Sequence, residues 1–246
     1  GACTQINRMS DTLLATLRAT GSISWIYDSD RLVEFPLGIF GIALATVILP
    51  HLSREHASEN PTAFSDSLDW ALRWVLLIGV PATLGLAVLA GPLLATLFQY
   101  DAFTGEDVVM AARSLMAYSA GLCGFILVKV LAPGYYSRQD TRTPVRIGII
   151  AMVGNIILNL MLVWSLAHAG LALATSLAAF INAGLLYRGL RKASVYQPRR
   201  GWLALFLRVT VAGGVMAAAL WWGAGALEEW LVVGAWERAA RLCLWV

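Results

Sequence analysis

Five apolar runs, each long enough to cross a lipid bilayer, dominate this sequence. A spanning helix requires roughly 20 mostly apolar residues, and it satisfies its own backbone hydrogen bonds where water is absent. Only 13% of the 246 residues are charged, whereas a soluble domain carries about a quarter. The sequence therefore predicts an all-α, polytopic transmembrane helical bundle, with apolar runs at 68–91, 108–131, 145–165, 170–187 and 203–226.

Three further segments extend the predicted bundle. Residues 1–20 have a helical pattern interrupted by polar positions, and residues 22–49 form a helix that contains charges. Residues 230–246 begin another apolar run that continues to the last residue. Together with the five apolar runs, these segments predict about seven complete membrane helices and a truncated eighth, if each helix is long enough to cross the bilayer. The sequence opens without Met and lacks a signal peptide, so we expect it to be part of a longer protein.

The linkers between the apolar runs alternate in charge. Lys and Arg concentrate in 129–146 and 188–208, whereas 98–107 and 227–237 contain three acids each and no Lys or Arg. The positive-inside rule then places both basic linkers and the polar linker 53–67 in the cytoplasm. Basic residues at this position favour contact with anionic lipid headgroups, so membrane lipids are expected partners and nucleic acid is not.

Charged residues also occur where an apolar helix is expected, in "WIYDSDRLVEFP" at 25–36. With Ser22 as N-cap, a helix over Ser22–Leu49 would place Arg31 about 13 Å along its axis. One face of this helix carries charged residues in its first half and small residues in its second half, and the opposite face is apolar. The charged face comprises Tyr27, Asp30, Arg31, Glu34, Gly38, Gly41 and Ala45.

The preceding segment has a similar polar face. It comprises Thr4, Asn7, Arg8, Asp11, Ala15 and Arg18. A charge that faces lipid costs several kcal/mol, so the two faces should meet each other, the bundle interior or a water-filled cavity.

Two interpretations of the charged face remain open. Arg31 and Glu34 are i, i+3 neighbours and could form a structural ion pair. Alternatively, the face lines a polar cavity for an anionic substrate, because the planar guanidinium of arginine matches phosphate with paired hydrogen bonds. On this second interpretation Arg31, Asp30, Glu34, Arg18 and Arg8 are the candidate substrate-binding residues.

No catalytic centre is apparent in the sequence. A membrane-embedded enzyme would need a metal pair or a nucleophile beside a base, and neither an HExxH nor a GxSxG motif is present. The three histidines and three cysteines are widely separated. We therefore expect a transporter rather than an enzyme.

Three stretches resemble the bacterial lipid II flippases of the MurJ (MviN) type, in the multidrug/oligosaccharidyl-lipid/polysaccharide exporter superfamily. They are "SDRLVEFPLGIFGIALATVILPHLS" (29–53), "LFQYDAFT" (97–104) and "VKVLAPGYYSRQDTRTPV" (128–145). The resemblance implies the second lobe of a fourteen-helix, two-lobe fold around a central cavity. Residues 1–202 resemble helices seven to twelve, and 203–246 resemble helix thirteen and the start of helix fourteen.

The resemblance also implies a function. Members of the family move the undecaprenyl-pyrophosphate-linked peptidoglycan precursor, lipid II, from the inner to the outer leaflet of the cytoplasmic (inner) membrane by alternating access. Arg31 matches the cavity arginine thought to engage the pyrophosphate, and Asp30 and Glu34 match its adjacent acids. The last two helices form a groove for the lipid tail, and the first lobe would be an obligatory partner. The alternative is a related exporter of drugs or of lipid-linked oligosaccharides or polysaccharides.

Some members of the family also resemble sodium-coupled transporters. The residues that match their Na⁺ site are Asp11, Asn155, Asn159 and Thr175. Oxygen ligands suit a hard cation, but Asn159 stands where the best-defined sites have an acid. Interhelical hydrogen bonding by the asparagines is the other interpretation, and both remain open at this point.

Overall fold

The computed structural model describes residues 22–100, 103–225 and 227–245, and all regular structure within them is helical. Six helical stretches are long and apolar enough to cross a membrane, which confirms the predicted all-α membrane bundle. The helices are α1 Ser22–Pro36, a π-helix Leu37–Ile42, α2 Ala43–Ala57, α3 Pro61–Val88, α4 Ala90–Phe98, α5 Gly105–Leu131, α6 Pro133–Tyr136, α7 Arg142–Lys192, α8 Trp202–Ala224, α9 Leu227–Val232 and α10 Ala235–Trp245.

Helix boundaries differ from the prediction where capping and burial outweigh hydropathy. The predicted end of the second helix at Leu49 was wrong, because α2 continues through Pro50 to Ala57. Leu52, one turn later, is fully buried and holds this extension in place. The next helix begins earlier than its apolar run, at Pro61, because the Asn60 side chain accepts a hydrogen bond from the Ala63 amide as an N-cap.

The long helix α7 folds back on itself. Asn155 donates a hydrogen bond to Thr175 at 3.3 Å, yet twenty residues of straight helix would separate them by about 30 Å. Two membrane-length arms, Arg142–Leu162 and Ala169–Lys192, therefore run antiparallel. They correspond to the two separate spans that the sequence predicts at 145–165 and 170–187.

The linkers group by charge at the two ends of the bundle, as their alternation predicts. At the basic end, a cavity of about 320 Å³ is lined by Glu55, Asn60, Arg138 and Ser194, from three different linkers. At the acidic end, the side-chain amide of Gln99 donates to the carbonyl oxygen of Leu231 at 3.2 Å. The cytoplasmic placement of the basic end stays a prediction.

The core of the bundle is built on α5, which contacts α1, α3, α4 and α7. Leu115 and Leu122 of α5 are fully buried. Small residues allow close helix contacts elsewhere, and Gly213 of α8 faces Leu84 and Val80 of α3. The expected last span does not appear as one long helix within 227–245, where the short helices α9 and α10 are separated at Gly234.

Candidate functional site

Helix α1 carries the charged stretch and lies alongside α5. The hydroxyl of Ser29 donates to the carbonyl oxygen of Ala111 at 2.9 Å. Val33, one turn later, is buried on the same side. Ala111 lies about 9 Å from the start of α5 at the helical rise per residue, so Arg31 lies about 12 Å from that end. Arg31 therefore lies beside the third turn of α5, a membrane-length helix, and its depth in the bilayer stays a prediction.

The charged side chains turn away from α5. Arg31 and Glu34 are exposed and Asp30 is half-buried, which agrees with the predicted charged face. All three interact with neighbouring groups. Asp28, which the sequence analysis did not select, lies one turn before Arg31 and is attracted by its positive charge. The i, i+3 spacing that linked Arg31 to Glu34 would also have identified Asp28.

Past Pro36 the predicted face is kept only in part, because Gly38 borders open space but Gly41 does not. Gly41 was expected beside Arg31, but it is buried against Ile126 and Lys129 of α5. Between the two lies the π-helix, whose i→i+5 bonds add a residue to each turn and rotate every later side chain about the axis. Pro36 lacks the backbone N–H that would continue the regular pattern. The charged group is therefore confined to the turns of α1 before this break.

Three of the predicted site residues lie outside the described residues. Arg8 and Arg18, as substrate-binding residues, and Asp11, as a cation ligand, all fall within 1–21. Their assignments stay predictions.

The other three predicted cation ligands come together between the two arms of α7. Asn155 and Asn159 are buried, with 1% and 0% of their surfaces exposed. The Asn159 amide nitrogen donates to Asn155 Oδ1 at 2.7 Å, and the Asn155 amide nitrogen donates to Thr175 Oγ1 at 3.3 Å. The Thr175 hydroxyl in turn donates to the Leu171 carbonyl at 3.1 Å. This chain of bonds is the interhelical hydrogen bonding that the sequence offered as one interpretation.

The chemistry of this cluster fits a hard monovalent cation only in part. Its side chains offer three neutral oxygens, which suit Na⁺, but Asn155 Oδ1 is already bonded to an amide. A cation would have to displace that amide, and it would need the carboxylate of Asp11 for charge. Within the described part of the chain, no group of three or more His, Cys, Asp or Glu side chains is placed to hold a metal.

The matching stretch at 128–145 forms a tight connection between α5 and α7. The Tyr135 hydroxyl, at its centre, donates to the carbonyl oxygen of Leu186 at 2.7 Å. Asp140 Oδ1 accepts a hydrogen bond from the Thr143 amide at 3.0 Å and so caps the start of α7. Hydrogen bonds from Thr143 hold the pKa of the Asp140 carboxyl below its usual value. The geometry gives this stretch a structural role: Tyr135 ties the end of α5 to the second arm of α7, and Asp140 caps the start of the first arm.

Comparison with known proteins gives a consistent result. The sequence profile of the family described as "Lipid II flippase MurJ" matches residues 1–239. The chain is 53% identical to the probable lipid II flippase MurJ of Vibrio cholerae, over 97% of this chain and 45% of that protein. It is 42% identical to the lipid II flippase MurJ of Burkholderia cenocepacia, over 89% of this chain and 42% of that protein. The chain thus spans less than half the length of these relatives.

Solved structures show the same fold. A lipid II flippase MurJ in an inward closed conformation superposes with a TM-score of 0.81 at 23% identity, over 99% of this chain and 49% of that one. An outward-facing multidrug resistance transporter of the MATE family superposes with a TM-score of 0.68 at 15% identity, over 89% of this chain and 50% of that one. At such identities the likeness concerns the fold alone.

The family profile and the curated relatives agree over nearly the whole chain, and the fold agrees with both. The six membrane-length helical stretches found in the described residues, together with the bacterial flippase relatives, make the chain a multi-pass segment of the bacterial inner membrane. The chain belongs to the lipid II flippase MurJ family.

Proposed function

We propose that the protein containing this chain moves lipid II, an undecaprenyl-pyrophosphate-linked peptidoglycan precursor, from the inner to the outer leaflet by alternating access. The observation that carries this proposal is Arg31, an exposed arginine that lies beside the membrane-length helix α5, about 12 Å along that helix from its start. Family membership supports the choice of substrate. Such a protein supplies cell-wall precursor and thereby maintains cell shape.

Arg31 would bind the pyrophosphate through the paired hydrogen bonds that a guanidinium can make. Its neighbours Asp28, Asp30 and Glu34 would hold the side chain when no substrate is bound and would compete with the phosphates for it. That competition favours release, because a site that binds too tightly cannot deliver its cargo.

The positive charge of Arg31 alone is not enough to attract a pyrophosphate. The stretch 28–34 carries one positive and three negative side chains, so its net charge repels a pyrophosphate if all are ionised. Arg8 and Arg18 on the preceding polar face, together with arginines of the other lobe, would supply the missing positive charge. The substrate site would therefore be complete only when both lobes are present.

The test uses a full-length chimera in which this chain replaces its counterpart in the Vibrio cholerae relative. We expect the chimera to restore growth of cells depleted of their own flippase. Lipid II should also become accessible to an impermeant lipid II-cleaving enzyme added outside spheroplasts. The chain expressed alone should do neither. Normal membrane abundance without either activity in the chimera would contradict the proposal.

The alternative is a related exporter of drugs or lipid-linked saccharides, which the fold likeness to a MATE transporter accommodates. The same cells distinguish the two functions. An exporter would lower the accumulation of a cationic dye or drug without exposing lipid II, and a flippase would do the reverse.

We also propose that Asp11, Asn155, Asn159 and Thr175 form a weak Na⁺ site. The support is that the three described members converge and all offer oxygen atoms. A ligand bound only by the folded state stabilises it, by about 2.7 kcal/mol at one hundred times its Kd. We therefore expect NaCl, compared with KCl, to raise the thermal unfolding temperature of the purified chimera.

Two variants separate cation binding from hydrogen bonding. Asp11→Asn should remove the difference between Na⁺ and K⁺. Asn182→Ala, at a half-buried position on the second arm of α7, should keep it. An equal response to both salts in the parent protein would leave the two asparagines as interhelical hydrogen-bonding residues only.

A further inference from the structure

The linker between α7 and α8 is fastened to α3 through one buried carboxylate. Asp69, only 1% exposed, accepts four hydrogen bonds. On Oδ1 they come from the Tyr196 hydroxyl at 2.7 Å, the Trp202 indole at 2.8 Å and the Arg199 amide at 3.2 Å. On Oδ2 the donor is Arg73 Nε at 2.7 Å. A buried carboxylate is costly unless it is paired and hydrogen-bonded, and here both requirements are met.

Further contacts hold the same linker about one turn before Asp69 on α3. The Ser65 hydroxyl donates to the Gln197 carbonyl at 3.2 Å and accepts from the Gln197 amide at 2.9 Å. The Arg199 guanidinium binds the Asp66 carboxylate through two of its nitrogens. Gly201 then turns the chain into α8 with a φ of 98°, a left-handed conformation that favours glycine.

The Tyr196 hydroxyl keeps its proton and continues to donate its hydrogen bond to Asp69. Burial, together with the bond to Asp69, raises the pKa of the Tyr196 hydroxyl. Its proton therefore remains in place throughout the physiological range.

Helix α8 depends on this attachment because it lies at the edge of the bundle. It packs mainly along α3, where Gly213 meets Leu84 and Val80. Its other sides are exposed, as at Val215 and Trp222. The contacts between 196–202 and 65–73, here called the linker latch, fix the end at which α8 begins.

We propose that Asp69 positions α8 by closing the linker latch, and that the latch stays closed while the protein changes conformation. Helices α3 and α8 then move as one rigid body. The Asp69 carboxylate accepts hydrogen bonds from the linker, from α8 and from α3 itself. Weakening this one acceptor therefore weakens all of these hydrogen bonds together.

The first experiment measures opening of the latch by trypsin, which cleaves after Arg199 and Arg200 only when that segment is extended and free. In the full-length chimera, purified in detergent, Asp69→Asn removes the negative charge that attracts the donors and sets an N–H group against Arg73 Nε. It should raise the rate of this cleavage about tenfold, because cleavage follows the population of the open form. Tyr196→Phe removes one donor without unpairing a charge and should give a smaller rise. It also keeps the test decisive if Asp69→Asn fails to fold.

The matched control is Asp140→Asn, which alters another hydrogen-bonded carboxylate at the same end of the bundle. It should leave cleavage after Arg199 unchanged. If Asp69→Asn and Tyr196→Phe are cut as slowly as the parent protein, the linker is held by something other than Asp69 and the proposal is wrong.

The second experiment tests whether the latch stays closed. Cysteines replace Ser65 and Gln197, which already touch, in a background whose native cysteines are alanine. After cross-linking, we expect transport at the level of the reduced protein. Transport that stops on cross-linking and returns with reductant would show that the latch must open. A chimera that transports nothing would refute the proposed function, while the cleavage result would still decide the role of Asp69.

Discussion

Replacing Arg31 with alanine is expected to abolish flipping by the full-length chimera while its membrane abundance stays normal. The guanidinium would donate two charge-assisted hydrogen bonds to the pyrophosphate, worth about 1.5–3 kcal/mol each. Their loss weakens substrate binding by about 100-fold or more, since each 1.4 kcal/mol is a factor of ten. Arg31→Lys keeps the charge but not the planar fork, so it should retain partial function at best. The measurements are growth of flippase-depleted cells and an immunoblot of their membranes.

The structural ion-pair interpretation predicts a different pattern. Removing Arg31 would leave the Glu34 charge unpaired within a membrane helix, where such a charge is costly, so Arg31→Ala would lower the amount of folded protein. The double variant Arg31→Ala, Glu34→Ala would then restore both abundance and growth. Such a rescue is incompatible with a pyrophosphate contact at Arg31. The control is Arg113→Ala, which removes another exposed arginine, about 12 Å from the start of α5. It should leave flipping largely intact.

The membrane spans could be predicted because each depends on a local property of the sequence. Runs such as 108–131 and 203–226 are apolar over bilayer length, and the alternating charge of the linkers ordered them in space. The placement of Arg31 and Glu34 on one exposed face followed from helical periodicity alone. These features need no knowledge of which helices touch.

The features that the sequence did not reveal depend on contacts or on deviations from regular geometry. The π-helix at Leu37–Ile42 rotates Gly41 onto α5. Helix faces were assigned from the sequence with the 3.6 residues per turn of a regular α-helix, so that rotation could not be predicted. Likewise, Asp69 is one acidic residue in a predicted apolar run. Its partners Tyr196 and Trp202 lie more than one hundred residues later, so only the folded chain brings them together.

A leucine in place of Gly121 is expected to remove most of the folded chimera from the membrane. Gly121 lies where α5 meets the second arm of α7, and a Cβ added there would lie 2.7 Å from the backbone Cα of Ser176. The helix cannot move away easily, because the Ser176 hydroxyl donates to the Ala117 carbonyl across the same contact at 2.6 Å. Overpacking usually lowers the free energy of unfolding by about 1–3 kcal/mol, and we expect a clash with backbone atoms to cost at least the upper value.

The matched control for this substitution is Gly214→Leu, because a Cβ on Gly214 would meet nothing within 4 Å. Both variants add the same apolar side chain to a membrane-length helix, so they differ only in what the side chain meets. We expect the control to keep parental abundance and unfolding temperature, as measured by immunoblot and by thermal unfolding in detergent. Gly121→Ala should fall between the two. Equal abundance of the Gly121→Leu variant and its control would mean that α5 and α7 are not in close contact, and the helix packing described for the core would then be wrong.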